Sequence, residues 1–396
     1  TMGFMKLILY IQQKSPVIFW SLIVIIFIGV FAELIANDRP LVASQNGKIV
    51  FPFYNASNLK STDIDYEWQL MPLIPYSPNS LDYKNVKSAS PFKSQQVDSW
   101  RYRHWLGTDE IGRDIFSGII HGTQLALIIG LGSMLIASII GIFWGAIAGF
   151  YGDNTLKISW LNLILLPLFI FIGYFYGFHQ TVWTTETPTI SLIQIVVLNL
   201  AYILASVIVC FSISQFLNKL LKIKKLITFP VDIIISRMIE IVKSVPILFL
   251  VISLAAIVNP SAWNIIWIIG LLAWTNIARY TRAEVLKVKN KPFIESAEAL
   301  GFSNARILFQ HILPLSLQSA SVFIVFGIAG AILMESTLSF IGVGISAEEV
   351  SWGSILSEAR KNPTSWWLAV FPGFAIFFTL FLFNKLATII EDRNRY

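Results

Sequence analysis

Long apolar runs separated by short polar stretches dominate the hydrophobicity pattern of this 396-residue chain. A helix that spans a bilayer needs about 20 mostly apolar residues, and the longest runs approach or exceed this length. We expect spanning helices at residues 17–36, 122–150, 156–178, 189–214, 229–258, 263–278, 318–342 and 367–390. The pattern therefore predicts an all-α polytopic membrane protein with about eight transmembrane helices.

A polar segment, residues 37–114, interrupts this pattern near the N-terminus. It holds nine Lys or Arg and nine Asp or Glu residues, with Pro and Asn scattered through it. Because it is too long and too polar for a turn, we expect a small extracytoplasmic domain. The apolar run before it could be a signal peptide, but it is long and no A-x-A pattern follows. We therefore interpret residues 1–36 as an anchor helix and residues 115–155 as a core helix.

The composition supports lipid as the main solvent of the chain. Hydrophobic residues make up 55% and charged residues 13%, and the mean hydropathy is +0.68. A soluble domain of ordinary composition carries about 25% charged residues. The single cysteine, Cys210, lies in an apolar run, excludes an intrachain disulfide, and is expected to be a small buried hydrophobe.

The positions of the charges orient the predicted helices. The net charge of +6 could indicate nucleic acid, but the basic residues concentrate in two loops, 217–226 and 279–291. The links at 179–188 and 259–262 contain no Lys or Arg. Because basic loops stay in the cytoplasm, we expect both termini to be cytoplasmic and no nucleic-acid partner.

Two intramembrane features have alternative interpretations. Gly141, Gly145 and Gly149 form a small-residue stripe, which packs helices either within one chain or across a subunit interface. Glu335 lies within the seventh predicted span, and an intramembrane acid is a functional candidate by default. It could line the translocation path or gate it, or it could be a structural hydrogen-bonding group.

Motifs of common enzymes are absent from the sequence. We find no G-x-x-x-x-G-K-[ST], H-E-x-x-H or G-x-S-x-G pattern, so we expect no ATP hydrolysis by this chain. The four histidines have no ligand-like spacing, and we expect neither a metal site nor a bound cofactor.

The loop at about 290–314 has the pattern of two short helices joined at a glycine. Pro292 suits the first turn of a helix, and Phe293, Ala297 and Leu300 share one predicted apolar face. Gly301 would end this helix in a left-handed conformation. A second helix would begin after Ser303, run through Arg306 to Leu313 and end at Pro314. From the residues alone, this elbow could press on a soluble partner or lie on the membrane surface.

The elbow resembles the EAA loop of bacterial ABC importer permeases. The resemblance is carried by Glu295-Ser296-Ala297, by Gly301 after three further residues, and by Ile312-Leu313-Pro314. The resemblance implies that seven residues of this elbow couple the chain to an ATPase: Glu295, Ser296, Ala297, Glu298, Gly301, Leu313 and Pro314.

A second motif resembles the LGTDxxGRD signature of the dipeptide/oligopeptide/nickel permease family, in its C-type (DppC/OppC-like) subunit. It is carried by Leu106, Gly107, Thr108, Asp109, Gly112, Arg113 and Asp114. Three further stretches agree with the family: residues 148–152, 338–342 and 352–353. Residues 32–40, followed by the long polar segment, resemble the microcin C/peptide (YejE-like) branch.

The chain departs from this family pattern at three places. Ser296 replaces the middle alanine of the EAA triplet, and Leu315 stands where the family often has asparagine. The usual six helices have become about eight, because a helical pair at residues 156–216 is inserted into the type I permease core. Two added spans preserve the orientation of everything downstream, including the permease core at 217–396.

The resemblance implies a permease subunit in a bacterial cytoplasmic (inner) membrane. It would pair with a second permease subunit and be driven by two ABC ATPases, which would bind ATP and Mg. An extracytoplasmic binding protein would deliver peptides or related small solutes. Two other classes stay open from the residues themselves: an ion- or proton-coupled secondary transporter that works alone, and a non-transporting membrane scaffold.

Overall fold

The computed structural model describes residues 2–45, 47–54, 66–97, 99–182, 192–220, 226–346 and 348–395. Apolar helices dominate it, which confirms the predicted all-α polytopic fold. The helices are α1 Met2–Lys14, α2 Pro16–Val30, α3 Ala32–Ile35, α4 Ile115–Tyr151, α5 Trp160–Val182, α6 Leu192–Leu220, α7 Val231–Lys243, α8 Ile247–Ile257, α9 Ala262–Lys289, α10 Pro292–Ala299, α11 Asn304–Arg306, α12 Leu313–Ile341, α13 Trp352–Lys361 and α14 Trp367–Arg395.

Each of the eight predicted apolar runs lies largely or wholly in helices, although not all of these helices reach spanning length. Within the described residues, five helical segments are long and apolar enough to cross a membrane. They are Ile115–Tyr151, Trp160–His179, Val197–Leu220, Asn304–Ile341 and Trp367–Asn394. The number rises to six when the bent pair α7–α8 is counted as one span. Helix α2 is apolar but only 15 residues long.

The predicted span at 229–258 is wrong as a single straight helix. The helices α7 and α8 meet at a break of three residues and are bent by 76°. Pro246 lies at this break, immediately before α8. Proline lacks an amide hydrogen and disfavours a helical conformation in the residue before it, which accounts for the interruption.

The chain divides into two compact units, residues 1–149 with 238–396, and residues 150–237. In the first unit, α12 packs against α9, α13 and α14, and α14 also contacts α1 and α2. In the second unit, α5 and α6 pack along each other. Strands β4 (Lys157–Ser159) and β5 (Leu226–Thr228) pair antiparallel at one end of this pair.

The glycine stripe of α4 packs against α9 within the chain. A Cβ atom on Gly141 would lie 2.7 Å from the carbonyl oxygen of Trp274, and one on Gly149 would lie 2.8 Å from that of Arg282. A Cβ atom on Gly145 would overlap the carbonyl oxygen of Ala278. The close approach of the two backbones therefore requires glycine, and the intrachain alternative for this stripe is confirmed.

The described part of residues 37–114 contains a small sheet followed by loops and 3₁₀ turns. Strand β1 (Val42–Gln45) lies between β2 (Lys48–Val50) and β3 (Trp68–Leu70), and both pairings are antiparallel. The segment then runs into the N-terminus of α4 through the LGTDxxGRD-like residues.

Candidate functional site

The elbow begins with a short helix whose apolar face differs from the one predicted. Pro292 starts α10, as expected, but Ile294 and Ala297 are its buried residues. The predicted face of Phe293, Ala297 and Leu300 is wrong at two positions, since Phe293 is 42% and Leu300 73% exposed. Helical spacing alone could not choose between two overlapping apolar faces, because the packing partner decides which one is buried.

Gly301 ends α10 in the left-handed conformation that the sequence predicted. Its φ angle is +79°. The Gly301 amide donates to the carbonyl of Glu298 at 2.9 Å, and the Phe302 amide donates to that of Ala297 at 3.2 Å. These bonds satisfy carbonyls that the end of a helix leaves open. A Cβ atom here would meet nothing within 4 Å, so the requirement for glycine is conformational.

The second half of the elbow is held in place around Phe302. The Ser303 hydroxyl accepts from the Arg306 amide at 3.4 Å, which confirms Ser303 as an N-cap. The Arg306 guanidinium lies 4.2 Å from the centre of the Phe302 ring. The His311 ring stacks on the same phenyl ring, with 5.9 Å between the two ring centres. Cation–π and stacking contacts of this kind favour one geometry over others.

The predicted end of the second helix at Pro314 is wrong. The helical segment continues from Asn304 to Ile341, and Pro314 lies in the first turn of α12. Residues 307–312 form a π-helical turn, with the Leu313 amide bonding to the carbonyl of Leu308. The wider turn accommodates a proline ring, which would clash with the carbonyl four residues earlier in an α-helix. The elbow is therefore continuous with a long apolar helix.

The polar residues assigned to ATPase coupling lie on the outer surface of the elbow. Glu295, Ser296 and Glu298 are all exposed, whereas Ile307 and Ile312 behind them are fully buried. Both carboxylates lie with exposed Phe293 and Leu300 on one short helix. This surface combines acidic and apolar groups on a rigid support, which suits docking to a protein partner.

The LGTDxxGRD-like residues form a hydrogen-bonded knot before α4. The Thr108 hydroxyl donates to the carbonyl of Asn85 at 2.8 Å, and the Trp367 indole donates to the carbonyl of Thr108 at 3.0 Å. Asp109 accepts from the Arg113 amide at 2.8 Å and from its guanidinium at 2.6 Å. Leu106 packs beside the buried cluster that contains Ile115 and Trp367. The signature thus ties residues 82–114 to the starts of α4 and α14.

Gly107 and Gly112 give this knot its shape. Their φ angles are +83° and +90°. A Cβ atom on Gly107 would lie 2.7 Å from the carbonyl oxygen of Ala89, and one on Gly112 would overlap that of Asp82. Both positions therefore exclude a side chain by conformation and by space.

His104 is a central residue of the knot that the sequence interpretation missed. It is fully buried, with Nδ1 2.8 Å from Asp114 Oδ1 and Nε2 3.1 Å from Asp82 Oδ2. Asp114 also caps α4, since its Oδ2 accepts from the Ser117 amide at 2.7 Å. The one feature of the sequence that pointed to this role was the position of His104, two residues before the LGTDxxGRD-like motif.

The two carboxylates favour the protonated form of His104. Burial is the largest influence and opposes the charge, but the hydrogen bonds and charges of Asp114 and Asp82 together raise the pKa of His104 above its ordinary value of 6.5. For Asp82, burial again opposes ionisation, yet hydrogen bonds from Asn85, His104 and the Lys84 amide lower its pKa. Both ring nitrogens of the imidazolium donate, which matches the two acceptors.

Glu335 lies near the C-terminal end of α12. It is fully buried and accepts from the hydroxyls of Ser339 at 2.7 Å and Ser336 at 3.2 Å. Glu335 therefore has hydrogen-bonding partners within its own helix.

Trp352 and Gly353 pack the N-terminus of α13 against α4 and α12, since the Trp352 indole donates to the carbonyl of Ile119 at 3.0 Å.

Among the residues that the structure describes, no group of three or more His, Cys, Asp or Glu side chains has a geometry that could hold a metal ion.

Comparison with known proteins connects these features to one class of transporter. Residues 226–396, which contain the elbow, match the family described as binding-protein-dependent transport system inner membrane component. Similarity to individual permeases extends over most of the chain. The inner membrane ABC transporter permease protein YejE of Escherichia coli is 25% identical, over 92% of this chain and 88% of its own length.

Two further relatives have the same character. The peptidoglycan transport system permease protein YejE of Agrobacterium fabrum is 24% identical, over 95% of this chain and 87% of its own length. The oligopeptide transport system permease protein OppC of Haemophilus influenzae is 27% identical, over 80% of this chain and 76% of its own length. Residues 226–396 therefore match the family domain, and most of the chain is similar to inner-membrane transport permeases of the OppC/DppC and YejE type. Together with the long apolar helices, this similarity supports a multi-pass inner-membrane protein.

Proposed function

We propose that this permease imports peptides or related small solutes into the bacterial cytoplasm, after an extracytoplasmic binding protein has delivered them. Among the relatives, OppC is named for oligopeptides and one YejE protein for peptidoglycan, so peptides and peptide-containing fragments are the best-supported cargo. The observation that carries the proposal is the elbow, a rigid and exposed surface within the family domain.

The elbow would couple this chain to an ATPase. Glu295, Ser296 and Glu298 would contact a groove of the ATPase, Ala297 would anchor the short helix from behind, and Gly301 would set the angle between the two helices. Leu313 and Pro314 would connect the contact to α12. ATP and Mg would be bound by two separate ATPase subunits, and a second permease subunit would complete the pore.

The continuity of the helix supports a mechanical role for the elbow. Residues 304–341 form one helical segment of 38 residues, roughly 57 Å long at about 1.5 Å per residue. When the ATPases close on ATP, a displacement of the elbow would tilt this segment as a lever. The tilt would alternate the pore between outward-open and inward-open states.

The orientation proposed for the chain places the elbow and both termini in the cytoplasm. Lys14 Nζ lies 2.7 Å from Asp392 Oδ2, so the ends of α1 and α14 are neighbours. The Asn394 side chain donates to the carbonyl of Gln318, near the start of α12, at 2.6 Å. These contacts place the elbow at the same end of the unit as α1 and the end of α14, and the basic loop 279–291 would face the cytoplasm with them.

The remaining segments would adapt this permease to its system. Residues 37–114 would form the extracytoplasmic domain, at the end where Trp367 starts α14. The helical pair at 156–216 would be an insertion into the permease core, serving as a lipid-facing brace or a docking surface for another subunit.

Co-purification tests the proposal directly. The tagged chain, expressed with the products of its neighbouring genes, should retain a second permease and two ATPases in detergent. The complex in nanodiscs should hydrolyse ATP faster when the binding protein and a peptide are added. Transport by this chain reconstituted alone, without an ATPase, would contradict the proposal and favour a secondary transporter.

A further inference from the structure

A cavity of about 300 Å³ lies at the end of α12 opposite to the elbow. Arg113 before α4, loop residues 342–346 with Glu349, and helix α13 enclose it. Its charged lining residues are Arg113, Glu349, Glu358 and Lys361, and the remaining wall consists of four serines and the apolar loop residues Gly342, Val343 and Ile345. In the orientation proposed above, the cavity opens towards the extracytoplasmic side.

Glu349 is the charged lining residue with an unsatisfied buried atom. Its Oε2 is shielded from solvent and has no hydrogen-bond partner among the described residues. The two cations of the cavity already have carboxylate partners, since Arg113 binds Asp109 at 2.6 Å and Lys361 binds Glu358 at 2.8 Å. A buried acceptor without a donor is unfavourable, so this oxygen is positioned for a donor from outside the chain.

A second carboxylate lies beneath this part of the cavity. Glu335 is fully buried, and its partner Ser339 lines the cavity wall. Ser339 therefore connects Glu335 to the wall of the cavity.

The donor set of the cavity matches an ammonium group. Serine hydroxyls beside Glu349, such as Ser346 and Ser357, can accept the other hydrogens of an –NH₃⁺ group, which has three donors. We propose that this cavity binds the α-ammonium end of the imported peptide, with Glu349 as its acceptor, when the peptide enters the pore. This inference rests on the proposed function and adds a substrate contact within the permease itself.

The test compares a peptide with and without its charged amino group. The full-length chain in lipid nanodiscs is titrated with trialanine and with N-acetyl-trialanine, and binding is followed by saturation-transfer NMR. We expect the wild type to bind trialanine at least about tenfold more tightly than the acetylated peptide. Glu349→Gln should abolish this preference. Glu348→Gln is the matched control, because Glu348 is exposed and its backbone carbonyl, which the change leaves in place, accepts from the Asn79 side chain.

Two readouts separate loss of binding from loss of folding. Glu349→Gln is nearly isosteric and removes the charge from a carboxylate with a buried, unpartnered oxygen, so its melting temperature without peptide should equal or exceed that of the wild type. If this variant does not fold, Glu349→Lys serves instead, since its tethered ammonium would fill the cavity and exclude trialanine. Unchanged preference for trialanine in a folded Glu349 variant would overturn the inference, as would equal binding of the acetylated peptide by the wild type.

The experiment contains no ATPase, so its result is independent of coupling at the elbow. Failure of trialanine binding in a complex with normal peptide-stimulated ATP hydrolysis would overturn only the cavity assignment. Binding without any ATPase association would overturn the proposed function and leave the ammonium site standing.

Discussion

The Nδ1 atom of His104 lies 2.8 Å from Oδ1 of Asp114, whose second oxygen caps α4 by accepting from the Ser117 amide. One carboxylate thus joins a buried imidazole in the 37–114 segment to the first turn of the longest apolar α-helix. Asp82 holds the other ring nitrogen at 3.1 Å. The entry of the chain into α4 is therefore fixed by charge-assisted hydrogen bonds.

This arrangement predicts a pH dependence of stability. The pKa of His104 is raised in the folded protein by Asp114 and Asp82, against the opposing and larger single influence of burial. Its contribution is therefore fully present below the unfolded value of about 6.5 and is lost as the pH rises through the folded value. The contribution of Asp82, whose pKa is lowered, also stabilises the fold but has the opposite pH dependence: it is lost as the pH falls through the folded pKa value.

The comparison of wild type with His104→Gln measures this effect. The difference in melting temperature should be largest near about pH 6 and should shrink towards about pH 9, followed in detergent by tryptophan fluorescence. His179→Gln, at an exposed histidine outside the knot, is the control. A difference for His104→Gln that does not change with pH would contradict a raised pKa of His104 in the folded protein.

Gly112→Ala should disrupt the knot before α4. At a φ of +90°, alanine costs about 1–2 kcal/mol, and its Cβ would also overlap the Asp82 carbonyl. We expect a loss of roughly 2–4 kcal/mol and faster proteolysis between residues 82 and 114. Gly152→Ala is the control, since its φ is +57° but nothing lies within 4 Å. Equal effects of the two changes would refute the steric part of the argument.

Gly145→Ala should separate α4 from α9. Its Cβ would overlap the Ala278 carbonyl oxygen in a backbone–backbone contact that has no flexible side chain to yield. We expect a drop in melting temperature equivalent to roughly 1–3 kcal/mol, as for overpacking of a core. Gly330→Ala in α12, where nothing lies within 4 Å, should be neutral or slightly stabilising. If Gly145→Ala behaves like this control, the stripe does not determine the helix spacing.

Gly301→Val should uncouple the elbow without affecting membrane insertion. The φ of +79° is unfavourable for a β-branched residue, while the open space around Gly301 leaves neighbouring side chains undisturbed. In the assembled complex we expect loss of peptide-stimulated ATPase activity at normal expression. Gly301→Asn, which tolerates the left-handed conformation, should retain a large part of this stimulation. Normal stimulation in Gly301→Val would remove Gly301 from the coupling mechanism.

The sequence by itself predicted that the chain lies in a membrane, that it is helical, and where the elbow and the LGTDxxGRD-like motif are. Composition and the length of apolar runs are enough for the first two, because a helix in lipid must satisfy its own backbone and present apolar side chains. Gly301 and Ser303 were also predictable, since helix ends depend on local conformation and nearby hydrogen bonds.

Only the tertiary structure decided which partners these local elements meet. It packed the Gly145 stripe against α9, buried Ile294 in place of Phe293, and carried the helix through Pro314 by a π-helical turn. It also brought His104 between two aspartates and placed Glu349 in one cavity wall with Arg113, across separations in sequence that no periodicity spans. The burial of a side chain and the charges around it are properties of the folded chain. The environments of His104 and of Glu349 could therefore be known only from the tertiary structure.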